Sequence, residues 1–274
     1  MSNISLTASM RSNLLSLQGT ANLMSQTQER LASGKKVNSA IDNPSAYYTA
    51  QSLNNRASDL SNLLDSMGQA ISTIKAADEG IEAITSFVEQ AKAVATSALD
   101  TTDDASRTKY MAQYNKILGE IDNLAEDSGY KGINLLQGGS LEVTFNEGRD
   151  NKLTITGVNA KTTGEGGLGM ATASGWTGDG AATAIGAAID AANAAITKLR
   201  GFSSDFGNSY SIVQTREEFT TNLINVLEEG ADKLTLADMN EESANMLALQ
   251  TRQQLAINSL SLASQAAQSV LRLF

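Results

Sequence analysis

The chain has 274 residues, a formal charge of −10, one proline, and neither cysteine nor histidine. Without cysteine it can form no disulfide or thiolate metal site, and without histidine it lacks the commonest general base and metal ligand. The acidic balance disfavours non-specific binding to nucleic acid or anionic membrane, and no apolar run nears the length that crosses a bilayer.

Reading from the N-terminus, Met10, Leu14, Leu17, Ala21, Met24, Gln28 and Leu31 follow alternating four- and three-residue steps. That spacing predicts a helix with one apolar stripe. The opening "MSNISLTASMRSNLLSLQGT" interrupts its apolar residues with Ser, Asn and Thr, so it does not read as a secretory signal peptide. Asn3-Ile4-Ser5 matches a sequon but falls in a segment expected to be buried.

"ERLASGKKVNSAIDNPSAYYTAQSL", residues 29 to 53, holds the single proline. Gly34 suits the residue just past a helix end. Asp42 or Asn43 can cap a second helix that Pro44 begins at its first position.

From Leu53, apolar residues recur in seven-residue steps at Leu60, Met67, Ile74, Ile81, Val88 and Ala95. Companions at Ala57, Leu64, Ile71, Ala77, Ile84, Ala91 and Ala98 complete a 3/4 pattern, with a stammer-like phase slip at Ile71, Ile74 and Ala77. The predicted helix spans Pro44 to about Leu99, roughly 80 Å at 1.5 Å per residue.

"DTTDDAS" supplies a turn, with Asp103 or Asp104 as cap. Tyr110, Tyr114, Ile117, Ile121 and Leu124 mark a third helix ending near Gly129. "LEVTF" and "LTITG", joined by "NEGRDNK", predict a β-hairpin. Residues 159 to 180, which hold Trp176, are glycine-rich and aperiodic, and are expected to form an exposed connection. Helical pattern resumes at Ile185, Ile189, Ala192, Ile196 and Leu199, and runs less regularly through Phe219, Leu223, Val226 and Leu234.

The C-terminal segment mirrors the N-terminal one. Met246, Leu249, Gln253, Ala256, Leu260, Ala263, Ala267, Val270 and Phe274 repeat the 3/4 spacing. Arg11 is the only charge in the first 28 residues, and Arg252 and Arg272 are the only ones after Glu242. Solvated helix faces normally carry Lys and Glu. Faces of Ser, Gln, Asn and Thr suit burial against protein, where unpaired charge is costly. Both ends therefore point to self-assembly.

Candidate chemistry is weak throughout. "GEGGLG", residues 164 to 169, matches a dinucleotide fingerprint only as a string, because a hairpin precedes it and more glycines follow. "SGKK" lacks the spacing of a phosphate loop. The acidic doublets at 103–104, 217–218, 228–229 and 241–242 lack calcium-loop spacing. No serine has a plausible base partner, so no catalytic, cofactor or metal site is expected.

Longer motifs carry a resemblance. "ERLASG" followed by "NSAIDNPSAYYTAQ", then "NLLDSMGQAISTIKAADEGI", "GEIDNLAEDSGYKGINLL" and the closing "NEESANMLALQTRQQLAINSLSLASQAAQSVLRLF" resemble bacterial flagellin over nearly the whole chain. About 159 to 183 fall outside the match, where larger members insert outer domains D2 and D3.

The resemblance implies a mainly α fold: a long antiparallel helical rod or coiled-coil bundle with a small β-hairpin and paired terminal helices. It assigns residues 1–43 and 236–274 to the inner shell D0, 44–158 and 184–235 to the next shell D1, and 159–183 to the exposed connection. It implies a filament subunit, or as the alternative a hook–filament junction protein of the same broad family.

The polymerisation core would comprise Met10, Leu14, Leu17, Ala21, Met24, Leu31, Met246, Leu249, Ala256, Leu260, Ala263, Val270 and Phe274. Implied partners are further copies of the chain, a secretion chaperone, the filament cap protein, the hook–filament junction protein and the type III export apparatus. Neither nucleic acid nor membrane insertion is expected, and no cofactor. Gln90 and Gln113 stand where members recognised by the animal innate receptor carry Arg and Glu, which implies weak recognition.

Overall fold

A computed structural model describes residues 8 to 271. The Asn3-Ile4-Ser5 stretch and Phe274 lie outside the described residues. Five helices and one hairpin follow in the order α1 (Ala8–Ser33), α2 (Pro44–Asp100), α3 (Asp104–Asp127), β1 (Ser140–Thr144), β2 (Lys152–Thr156), α4 (Ala181–Thr235) and α5 (Met239–Leu271). The chain divides into two compact units, one of residues 1–56 with 226–274, the other of residues 57–225. Both boundaries fall inside long helices.

In the first unit α1 ends as an αL cap: Gly34 takes φ 71° and donates its N–H to the Arg30 carbonyl at 2.8 Å. The two candidate caps of α2 divide the work. Asn43 Oδ1 accepts the Ala46 N–H at 3.1 Å, whereas Asp42 accepts those of Asn38 and Ser39, each at 3.0 Å. Pro44 opens α2 where its missing N–H costs nothing. The crossing between α1 and α2 meets the crossing between α4 and α5. Lys36 donates to the Thr235 carbonyl at 2.8 Å, and Ala237 to that of Gly34 at 3.0 Å. Asp238 Oδ1 then accepts the Asn240 N–H at 2.9 Å and starts α5.

In the second unit the α2 seam is regular. Met67, Ala70, Ile74, Ala77, Ile81, Ile84, Val88, Ala91, Ala95 and Ala98 are all buried. No phase slip falls at Ile71, Ile74 and Ala77, because Ala70 occupies the seam and Ile71 packs at its flank, half-buried. On α4, Ile185, Ala192, Leu199, Phe206 and Val213 are buried at strict seven-residue steps, and Thr220 continues them. That corrects the pattern read from Phe219, which is 57% exposed. A single hydroxyl in an otherwise apolar register displaced the sequence reading by one position.

Asp103 caps α3 by accepting the Ser106 N–H at 2.9 Å, and Tyr114, Leu118, Ile121 and Ala125 form its buried face. At its other end Asn134 acts as a clamp. Its Nδ2 donates to the Ala125 and Glu126 carbonyls at 2.8 and 2.9 Å, and its Oδ1 accepts the Leu136 N–H at 2.8 Å. These bonds satisfy carbonyls that a helix end leaves without partners. The hairpin pairs Leu141 with Ile155 and Val143 with Leu153, turning Leu141, Val143 and Ile155 into the core.

The glycine-rich segment is not an exposed connection. It is a strap laid antiparallel along α3, with Ala160, Leu168, Met170 and Trp176 buried. Lys161 Nζ pairs with Glu126 at 2.6 Å, and Asp122 accepts from both the N–H and the hydroxyl of Thr162 at 2.7 and 3.0 Å. Asn115 and Ala173 exchange two bonds, at 2.7 and 3.1 Å, and Gly178 N–H reaches Asp104 at 3.3 Å. From α4, Lys198 Nζ reaches the Gly167 carbonyl at 2.8 Å. Positive φ at Gly164, Gly166, Gly169, Gly175 and Gly178 explains the composition, since side chains would oppose these turns.

Candidate assembly surfaces

The sequence pointed to the terminal helices, and the structure pairs them. α5 runs back along α1, and Arg30 Nη1 meets Glu242 Oε1 at 2.8 Å near the start of α5. Glu242 is 7% exposed, so its carboxylate is buried against this partner.

Met10 is buried on α1, and Leu17, Ala21, Met24 and Leu31 are half-buried. The step between them differs from expectation: Thr20 and Thr27 are buried, whereas Gln28 is exposed and Leu14 is 49% exposed. Thr20 fits the seam because its hydroxyl donates to the Ser16 carbonyl at 2.9 Å, leaving its methyl outward. On α5, Leu249 is buried and Met246, Gln253, Ala256, Leu260 and Ala263 are half-buried at their expected spacing. The side chain of Val270 lies outside the described residues, as does Phe274.

A second apolar set points away from the seam. Leu14, Leu15 and Leu23 on α1, and Leu247, Leu255, Ile257 and Leu262 on α5, are between 46% and 68% exposed. Sequence reasoning missed most of these because a 3/4 search keeps one stripe and discards leucines outside it. Leu15 and Leu262 were the available signal: large apolar residues beside a stripe, in segments nearly free of charge.

In the second unit Gln90 and Gln113 are both exposed, and Gln90 Nε2 lies 3.5 Å from Ser86 Oγ. Among the described residues no group of three or more Asp and Glu could hold a metal ion. No described helix is long and apolar enough to cross a membrane.

Comparisons with known proteins match the two ends of the chain to two helical regions of one family. Residues 3–140 match the model of the bacterial flagellin N-terminal helical region, and residues 189–274 that of the C-terminal helical region. The chain belongs to the bacterial flagellin family. Flagellin FljK of Caulobacter vibrioides is 32% identical, over 95% of this chain and 94% of that protein. The flagellin of Brucella melitensis is 28% identical over 100% and 99% of the two chains. A solved Bacillus cereus flagellin superposes with a TM-score of 0.48 at 17% identity, covering 57% of this chain and 88% of that one.

Flagellins are structural proteins, and this flagellin is a subunit that polymerises with its own kind into the extracellular flagellar filament. The matches give no specific support to the junction-protein alternative. The two family models leave residues 141–188 unmatched, a span that includes the whole strap.

Proposed function

We propose that the paired terminal helices, D0 in family terms, supply the contacts that hold this flagellin in its filament, and that the helices and hairpin between them form D1. The carrying observation is the outward set of leucines on α1 and α5, set among Ser, Gln, Asn and Thr instead of Lys and Glu. The two apolar sets divide the labour. Met10, Leu17, Met24, Leu249, Ala256 and Leu260 hold α1 to α5, while Leu14, Leu15, Leu23, Leu255 and Leu262 are buried only when neighbours arrive.

Leu255→Glu or Leu14→Glu then stops seeded elongation while residues 57–225 keep their unfolding transition. Leu260→Glu stops it too, by separating the pair. Normal filaments from all three variants would refute the reading.

Delivery follows from the same surfaces. Export by the flagellar type III route, a chaperone covering α5 before export, and a cap protein guiding addition all answer the need to keep exposed leucines from premature association. The hook–filament junction protein is the expected neighbour at the filament base. With neither histidine nor cysteine in the chain, we assign it no catalytic role.

Gln90 and Gln113 predict weak activation of the animal innate receptor for flagellin. They present neutral amides where recognition is expected to use a guanidinium and a carboxylate, and charge-assisted bonds are the stronger kind. Gln90→Arg with Gln113→Glu should raise receptor signalling by purified monomer. Strong signalling by the unaltered protein would contradict this assignment.

A further inference from the structure

The charge of the chain is divided unevenly between its two units. Residues 1–56 with 226–274, the unit that holds α1 and α5, carry eight acidic and eight basic residues and are formally neutral. Residues 57–225 carry 22 acidic and 12 basic residues, so the whole formal charge of −10 falls on the second unit.

Local compensation there is slight. Lys152 and Lys161 pair with Glu142 and Glu126. Lys75 and Arg216 lie over the Tyr210 and Phe145 rings instead, and Lys198 and Arg107 donate to the backbone carbonyls of Gly167 and Ala98. Asp65, Glu82, Glu120, Asp190 and Asp205 stand exposed on α2, α3 and α4, outside the ion pairs of the described residues. The excess is a diffuse surface charge, since no three carboxylates converge on a cation site among the described residues.

The reach of a diffuse charge is set by salt. The Debye length is about 30 Å at 0.01 M ionic strength and about 8 Å at 0.15 M, whereas a helix with its side chains is about 10–12 Å across. In dilute salt, second units held at neighbouring places in a filament repel one another across more than a helix width, with no contact needed. At physiological strength they repel across less than one. The first unit, formally neutral and bearing the outward leucines, carries no net charge to oppose its neighbours.

We propose that ionic strength gates assembly through this division: the neutral termini supply adhesion, and the charged second unit opposes association until salt screens it. This rests on the filament reading and adds to it the condition under which the termini can act. Where salt is low, free subunits are kept apart despite their exposed leucines. Where it is higher, the repulsion is shortened and the leucines meet.

Seeded elongation, followed by light scattering, tests the gate. The critical concentration of the unaltered protein should fall about tenfold between 0.01 M and 0.15 M NaCl. Sodium sulfate at equal ionic strength should give the same curve, because salting-out favours sulfate and screening does not. A variant carrying Asp65→Asn, Glu82→Gln, Glu120→Gln, Asp190→Asn and Asp205→Asn removes five of the ten excess negative charges. Repulsion between like bodies scales with the product of their charges, so this variant should keep about a quarter of the logarithmic salt effect. Circular dichroism melts confirm that it is folded. A salt-independent critical concentration in the unaltered protein, a sulfate curve displaced from the chloride one, or a folded variant with the full salt effect overturns the gate. Failure of the unaltered protein to elongate from seeds at every salt concentration would strike the filament reading itself.

Discussion

The Trp176 indole packs on the Tyr114 ring, centroids 5.2 Å apart and planes tilted by 53°, although the two lie on strap and helix respectively. Trp176 is 1% exposed and Tyr114 is fully buried. This contact fastens the last third of the strap to the middle of α3. Trp176→Ala is expected to destabilise the second unit by about 3–5 kcal/mol, the usual cost of truncating a large buried aromatic. Tyr114→Phe should do the opposite. The Tyr114 hydroxyl is buried with no hydrogen-bond partner among the described residues, and burial pushes its pKa up. Removing it should stabilise by about 1 kcal/mol. Urea unfolding of both variants measures the pair.

Two glycines of α2 should respond in opposite directions to alanine. A Cβ at Gly80 would stand 2.7 Å from Leu136 Cδ1 and 2.8 Å from Ser128 Cβ, inside the packed exit of α3. Gly80→Ala should therefore cost about 1–3 kcal/mol through overpacking, despite the better helix propensity of alanine. Gly68 has nothing within 4 Å of the same atom. Gly68→Ala should stabilise by about 0.5–1 kcal/mol. Parallel thermal melts compare the two.

The Arg30–Glu242 pair should behave as a register pin. Arg30→Ala leaves Glu242 buried without a partner, at a cost of about 2 kcal/mol. Glu242→Gln should cost less, because a neutral amide can still accept from Arg30. Filament dissociation temperatures should rank the unaltered protein above Glu242→Gln, and Glu242→Gln above Arg30→Ala.

The joint before α2 should weaken in acid. N–H donors from Ser39, and then from Asn38, hold the Asp42 carboxyl below its usual pKa. A depressed folded-state value means the stabilisation is complete above the unfolded value, roughly 3.9. It is lost as pH falls through the folded value. Asp42→Asn should remove this acid dependence and lower stability at neutral pH. Hydrogen exchange at Asn38 and Ser39 between neutral pH and pH values below the carboxylate range reports it directly.

The helices were legible in sequence because seven-residue apolar steps survive single substitutions: Met67, Ile74, Ile81 and Val88 suffice to fix the α2 face. Companion positions were less legible. Ala70 against Ile71, and Thr220 against Phe219, were misassigned by hydropathy alone. A small side chain lets helices approach, and a threonine hydroxyl can return to its own helix, as Thr20 does to Ser16.

The strap was illegible for a different reason. Its backbone groups are satisfied by single side chains on α3, Asp122, Asn115 and Asp104, and not by a repeating ladder. A segment held that way has no period to find. The outward leucines of α1 and α5 were in view as residues. Their separation from the seam was not, because the angular difference between adjacent helix positions emerges only once a partner helix is in place.

The strap also sets an order of events when the chain refolds from an extended state. Its ties to α3 join residues 35, 40, 58 and 74 apart, whereas Arg30 and Glu242 are separated by 212. Shorter closures form sooner, because less chain entropy is lost before contacts compensate it. The second unit can thus mature on its own timetable, needing no oxidant, since the chain contains no cysteine to cross-link. The α1–α5 pair, with its longer closure, is expected to form after the strap is tied.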